Sequence, residues 1–170
     1  ALSGTFEYWH YSSEKAGLLG SLSSFGIMSY MEFGDSFSSY GFSHEDFLMN
    51  LFGCAAGYLL YVNPNLSKKI DFRVEYIPNF DQGDVFSDYD NMKFLMAVKL
   101  DGFESIQNRY LKYLEIHLGY YARGYPNDSN KERNIYLGIG ISLSKIFNTL
   151  SMKKTAKVFN YYQMPYTYIS

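Results

Sequence analysis

An α+β fold is predicted by a change of period partway along the 170-residue chain. Two apolar segments, 16–31 and 47–62, carry small and polar residues at helical spacing. After Asn63-Pro64-Asn65 the apolar residues recur at every second position in successive runs. Together these predict an N-terminal helical hairpin, 12–62, packed on an antiparallel β-meander of four or five strands within 70–169. The length fits a single domain over 1–170. No charged and apolar leader precedes Ala1, so the expectation is a processed chain or a fragment lacking an N-terminal segment.

Residues 1–11 bring Phe6, Tyr8, Trp9 and Tyr11 close together, as an extended or loosely helical lead-in. Ser12 or Ser13 then caps a helix to about Phe33, with Gly34 as its stop. Gly17, Ser21, Ser24, Met28 and Glu32 line one face of it. Ser43 opens the second helix, with Asp46 at the capping-box position. Asp46, Asn50, Gly53 and Gly57 follow as one stripe, predicting a close crossing with the first helix and a meeting of Glu32 with Asn50. Pro64 ends that helix.

The strands follow in order. Phe72, Val74 and Tyr76 alternate with Asp71, Arg73 and Glu75. Met92, Phe94, Met96, Val98 and Leu100 form the second run, turned by Asp101-Gly102. Leu114 to Ala122 makes the third run and Ile135 to Leu143 the fourth, alternating with Gly138, Gly140, Ser142 and Ser144. After a basic linker with Lys153, Lys154 and Lys157, the tail 158–169 reads as a fifth strand at an edge, where Pro165 is tolerated. The apolar row of these strands has two readings. It packs on the hairpin, or it faces lipid in a membrane β-barrel-like sheet with associated helices. The visible strands fall short of the eight of the smallest common barrels, which favours the first.

Composition narrows the function classes. A net charge of −2 implies neither a nucleic-acid partner nor an anionic surface. The 18 Tyr and 14 Phe suit strands and interfaces, where one ring edge is apolar and the other wet. Cys54 excludes an intramolecular disulfide. Both apolar helices are shorter than a bilayer span and broken by polar residues.

Glu32-x-x-Asp35, followed by Gly41-Phe42-Ser43-x-x-Asp46-x-x-x-Asn50-x-x-Gly53, resembles a predicted-lipoprotein family of Gram-negative envelopes, domain of unknown function 2279. Tyr89-Asp90-Asn91, Leu118-Gly119-Tyr120, the run from Arg133 to Leu143 and Pro165 are similar to the β-rich tail of its longer members. The pattern Glu…Ser-x-x-Asp-x-x-x-Asn-x-x-Gly also bears a fainter resemblance to VanZ-like membrane proteins. Members of the first family usually carry an Asp-Lys-x-x-His helix upstream, which this chain lacks before Glu32. The resemblance implies a compartment, periplasmic or outer-membrane-associated, and an architecture, but no reaction.

The candidate polar cluster is Glu32, Asp35, His44, Asp46 and Asn50, with Glu45 beside it. Carboxylates with a histidine suit a divalent metal or acid–base work, yet no ligand spacing such as H-E-x-x-H occurs. Capping explains Asp46, an interhelical hydrogen bond Asn50 and a solvated first turn His44 and Glu45, and Glu32 is the residue least explained by local structure. Glu115, His117 and Arg123 share the polar face of the third strand, to line a lumen or groove or to pair across strands on a solvated face. Asp81, Asp84, Asp88 and Asp90 suit calcium in kind but lack EF-hand spacing, which favours turn chemistry. No phosphate loop, nucleophile elbow or dinucleotide fingerprint is present, and no cofactor is expected. The expectation is therefore a non-enzymatic envelope component whose partner is outer-membrane lipid or an envelope protein. The alternative is an envelope enzyme or metal-binding protein acting on lipid or glycan through the hairpin cluster.

Overall fold

A computed structural model describes residues 2–37, 41–78, 88–124 and 131–170. It has helices and one largely antiparallel sheet, an α+β chain, and it divides into two compact units, Ala1–Ser67 and Lys68–Ser170.

The first unit is helical. The lead-in is a helix, α1 (Leu2–Tyr8), followed by α2 (Ser13–Asp35), α3 (His44–Val62) and a short α4 (Pro64–Ser67). The Ser12 hydroxyl makes no cap bond, and Ser13 Oγ instead donates to Glu7 Oε1 at 2.6 Å. Glu7 also accepts from Tyr61 Oη at 2.6 Å, tying α1 to α3. Those two hydrogen bonds lower the Glu7 pKa, while the Tyr61 hydroxyl, bonded to that carboxylate, is pushed up to about 12. Gly34 does not stop α2, which runs on to Asp35, and among the described residues of the connection Gly41 is left-handed, at φ +75.

The close helix crossing lies elsewhere than at the Gly53/Gly57 stripe. A Cβ added at either of those glycines meets nothing within 4 Å. The tight point is Gly17 of α2, where a Cβ would sit 3.0 Å from the Tyr61 ring and 3.1 Å from Val62. Gly20 lies closer still to α1, where an added Cβ would sit 2.5 Å from the Ser3 amide nitrogen. Small residues do mediate the packing, but those of α2 rather than those of α3. The correction reverses the expected effect of substitution. Gly53→Ala adds no clash and relieves the helix-interior glycine penalty, so it should stabilise by about 0.5–1 kcal/mol in a urea titration.

The second unit is a sheet of order β5-β1-β2-β3-β4-β6. Its meander is β1 (Ile70–Tyr76), β2 (Met92–Lys99), β3 (Leu114–Arg123) and β4 (Glu132–Ile141). The register sets Phe72 opposite Met96, Met96 opposite Leu118 and Leu118 opposite Leu137. Two helices absent from the sequence reading, α5 (Leu143–Thr149) and α6 (Lys153–Val158), replace the end of the fourth run and the basic linker. Ser142 and Ser144 leave the strand there, and their hydroxyls lie 3.3 Å apart. The tail is not one edge strand. It forms two two-residue strands, β5 (Tyr162–Gln163), parallel to β1, and β6 (Tyr168–Ile169), antiparallel to β4.

That tail curls the sheet. A flat sheet of this order would hold β5 and β6 about 24 Å apart. The chain from Gln163 to Tyr168 reaches at most about 18 Å when fully extended. The sheet must therefore bend, and the tail spans its concave side. Among the described residues the ladder does not close into a barrel.

Curling encloses the polar row. Asp71, Arg73, Glu75, Lys99, Glu115 and His117 are buried, whereas Phe72, Phe94, Ile116, Leu118, Leu137 and Ile139 are exposed. The largest fully buried side chains are His117, Gln163, Glu75, Glu115 and Ser142, all polar. Each strand thus alternates as expected, but the apolar row that the favoured reading buried is the exposed one.

Candidate functional site

The hairpin cluster is only partly assembled. Glu32 is buried and its Oε1 accepts from the Ser43 amide at 2.6 Å. Ser43 Oγ accepts from the Asp46 amide at 3.2 Å, the first half of the expected capping box. The reciprocal half is supplied across the hairpin by Glu32 in place of the local Asp46. Glu32 therefore meets the start of α3, and its hydrogen bond goes to Ser43 rather than to Asn50. The His44 ring sits edge-on to Phe42 at 5.0 Å, within an aromatic group that also holds Phe33 and Phe47. Asp46 is exposed, Asn50 half-buried and Asp35 exposed at the end of α2. Among the described residues no group of three His, Cys, Asp or Glu side chains is placed to hold a metal. Asp81 and Asp84 lie outside the described residues, while Asp88 accepts from Asn91 and Tyr76, and Asp90 from the Gly124 amide. Glu32 anchors a helix start, so Glu32→Ala should cost about 1.5–3 kcal/mol by urea titration, the range for a hydrogen bond to a charged group.

The larger constellation lies in the second unit. Arg73 donates through Nη1 to Glu115 Oε1 at 2.5 Å and through Nη2 to Glu115 Oε2 at 3.0 Å, a two-pronged pair. Its Nη2 also reaches Asp71 at 2.9 Å, and Lys99 Nζ holds the other oxygen of Asp71 at 2.8 Å. Gln163, brought in by the tail, accepts from Arg73 at 2.9 Å and donates to Thr167 at 2.7 Å. His117 Nε2 lies 2.9 Å from Glu115 Oε1. Three carboxylates, Asp71, Glu75 and Glu115, thus face three cations, Arg73, Lys93 and Lys99.

Lys93 closes the other end. Its ammonium is 3.2 Å from Glu75, donates to the Tyr168 hydroxyl at 3.0 Å, and lies over the rings of Tyr121, Tyr136 and Tyr168. Tyr136 and Tyr168 stack at 5.7 Å, and their hydroxyls are 3.2 Å apart. The glycines of this row make room for the rings. A Cβ on Gly119 would run into the Tyr136 ring, and one on Gly140 would sit 2.5 Å from the His117 ring and 2.9 Å from Tyr168 Cβ.

The charges set how the network responds to pH. Burial pushes the Glu115 pKa up, but hydrogen bonds from His117 and Arg73, with their charge, prevail and hold it below the usual 4.5. Burial likewise opposes the Arg73 charge, and Glu115 and Asp71 overcome it. A carboxylate lowered in the fold contributes stability that is whole above its unfolded value and lost as pH falls through the folded one. Stability of the second unit should accordingly fall below pH 4.5, with a shallower slope in Glu115→Gln, as urea midpoints across that range would report. Burial above all pushes the Tyr168 hydroxyl up to about 12 and raises Tyr136 as well.

Of the sequence-derived candidates, Glu115 and His117 belong to this network. Arg123 does not, being exposed at the end of β3 with its guanidinium 4.9 Å from the Tyr121 ring. Sequence reasoning missed Arg73, Lys93, Gln163 and Tyr168. The available signal was that Asp71, Arg73 and Glu75 share the strand row that pairs toward Glu115 and His117.

Comparison with known proteins bears on the first unit. Residues 1–62 match the model of a family described as predicted periplasmic lipoprotein, DUF2279. The match supports an envelope-associated protein of unknown role in the periplasm. It ends before β1, so it does not extend to the likeness read after residue 88, and the VanZ-like likeness is not part of it. Neither a curated protein nor a solved structure matches the chain.

Proposed function

We propose that this chain is a non-enzymatic structural or accessory component of the bacterial envelope, associated with the outer membrane. The observation that carries this reading is the inverted sheet, whose polar row is buried in a charge-balanced network while its apolar row stays exposed. Burying ions is costly and repaid only by close pairing, so a fold that does so while exposing Leu and Ile suits apolar surroundings. Within the network the Arg73 Nη groups and the carboxylates of Asp71 and Glu115 are held by one another, while Arg73 Nε, Glu75 Oε2 and His117 Nδ1 have no hydrogen-bond partner among the described residues. The partner on this reading is outer-membrane lipid or an envelope protein in contact with it. Fractionation of cells expressing the full-length protein tests it. The protein should sediment with outer membranes and resist a salt wash. Recovery in the soluble periplasm or the cytoplasm would end the reading.

A further inference from the structure

We propose that the convex face of the β1–β4 sheet lies on a lipid leaflet, its outward row dipped among the acyl chains and its edges left in water. The proposal rests on the membrane association above and names the surface that makes the contact. Three transverse rows are free of charge: Ile70–Val98–Ile116–Ile139, Phe72–Met96–Leu118–Leu137 and Val74–Phe94–Tyr120–Ile135. Aromatic residues gather in and beyond the third row, with Phe94 opposite Tyr120 and Tyr76 one row further on, opposite Met92, as suits the boundary between acyl chains and headgroups.

The sheet edges choose between lying on a membrane and spanning it. Among the described residues β5 pairs with β1 at Val74 and Glu75, and β6 pairs with β4 at Ile139 and Gly140. Among the described residues no other strand pairs with these two edges. Unpaired edge backbone in hydrocarbon is prohibitive, which is why spanning sheets close into barrels. The tail bends the sheet toward its polar side, so both edges turn away from the apolar face. A leaflet-bound sheet keeps them in water, and a spanning sheet would not.

Charge chooses lipid over a second copy of the chain. Residues 68–170 hold 14 Lys and Arg against 11 Asp and Glu, a net +3, while residues 1–67 hold one against six, a net −5. Lys153, Lys154 and Lys157 of α6 are exposed next to the equally exposed Met152 and Val158. Face-to-face pairing of two such sheets would bring like charges together, whereas an anionic leaflet attracts them.

The test places an environment-sensitive fluorophore at Leu118→Cys or Leu137→Cys in the full chain carrying Cys54→Ser, with Tyr110→Cys as an exposed control. The vesicles are phosphatidylethanolamine with phosphatidylglycerol, or phosphatidylcholine alone. On the anionic vesicles both sheet labels should shift to the blue, and a quencher near the headgroups should act more strongly than one at the chain ends. The control should keep its aqueous spectrum. Leu118→Asp or Leu137→Asp should each weaken binding roughly tenfold, the effect of keeping one Leu out of hydrocarbon. Stronger quenching from the chain ends would overturn the leaflet mode in favour of a span. A blue shift without vesicles, together with a doubled mass in solution, would overturn it in favour of self-association. Outer-membrane fractionation with both labels still in water would overturn it too, leaving envelope association intact and pointing to a protein partner.

Discussion

Arg73→Met should destabilise the second unit by about 3–5 kcal/mol, the usual cost of removing one member of a buried ion pair. The loss comes from what the substitution strands. Glu115 loses both prongs of its pair, Asp71 keeps only Lys99, and Gln163 loses the donor that holds the tail over the sheet. The double variant Arg73→Met/Glu115→Leu, which removes both charges of the pair, should regain part of the loss, because paired ions and well-packed apolar groups are often close in energy. Urea titration of the two single variants and the double completes the cycle, and a coupling of more than about 1 kcal/mol is expected for residues in direct contact. Losses that simply add would mean that Arg73 and Glu115 do not depend on each other.

Tyr168→Ala is expected to cost about 3 kcal/mol, toward the lower end for truncating an aromatic ring because the site is half-buried. It removes the stack on Tyr136, the edge contact with His117 at 5.1 Å and the hydroxyl that accepts from Lys93. Tyr168→Phe separates ring from hydroxyl and should lose only about 1 kcal/mol, the ordinary worth of a hydrogen bond. Both changes should also loosen β6, read as faster amide exchange at Ile139 and Ile141 in Tyr168→Ala than in Tyr168→Phe. Equal losses in the two variants would place the tail's grip in its hydroxyl and not in its ring.

Much of this fold was legible because its signals are local. The Ser43 cap and the helix end at Asn63-Pro64 lie where the residues require them, and the four alternating runs became β1 to β4 in order. Which row faces inward was not legible, since alternation marks two faces without assigning either to the interior. The assignment comes from the curl, and the curl comes from two-residue strands too short to leave a periodic trace. The same limit explains the Gly53/Gly57 error. A stripe of small residues shows that a close approach is possible on that face, but the approach was made at Gly17 and Gly20. Glu32 stood out as the charge without a local explanation, and its partner proved to be a backbone amide, which any residue except proline would supply at position 43.

The central claim is that β1 to β4 form a sheet whose polar row is inside and whose apolar row is outside. Hydroxyl-radical footprinting of the unmodified chain in solution tests it without a mutation. Histidine is intrinsically reactive, yet His117 lies at 0% exposure between Ile116 at 44% and Leu118 at 43%. Oxidation is expected at Ile116, Leu118, Leu137 and Ile139, with His117 protected among them. Ready oxidation of His117, with those four aliphatic residues protected, would contradict it.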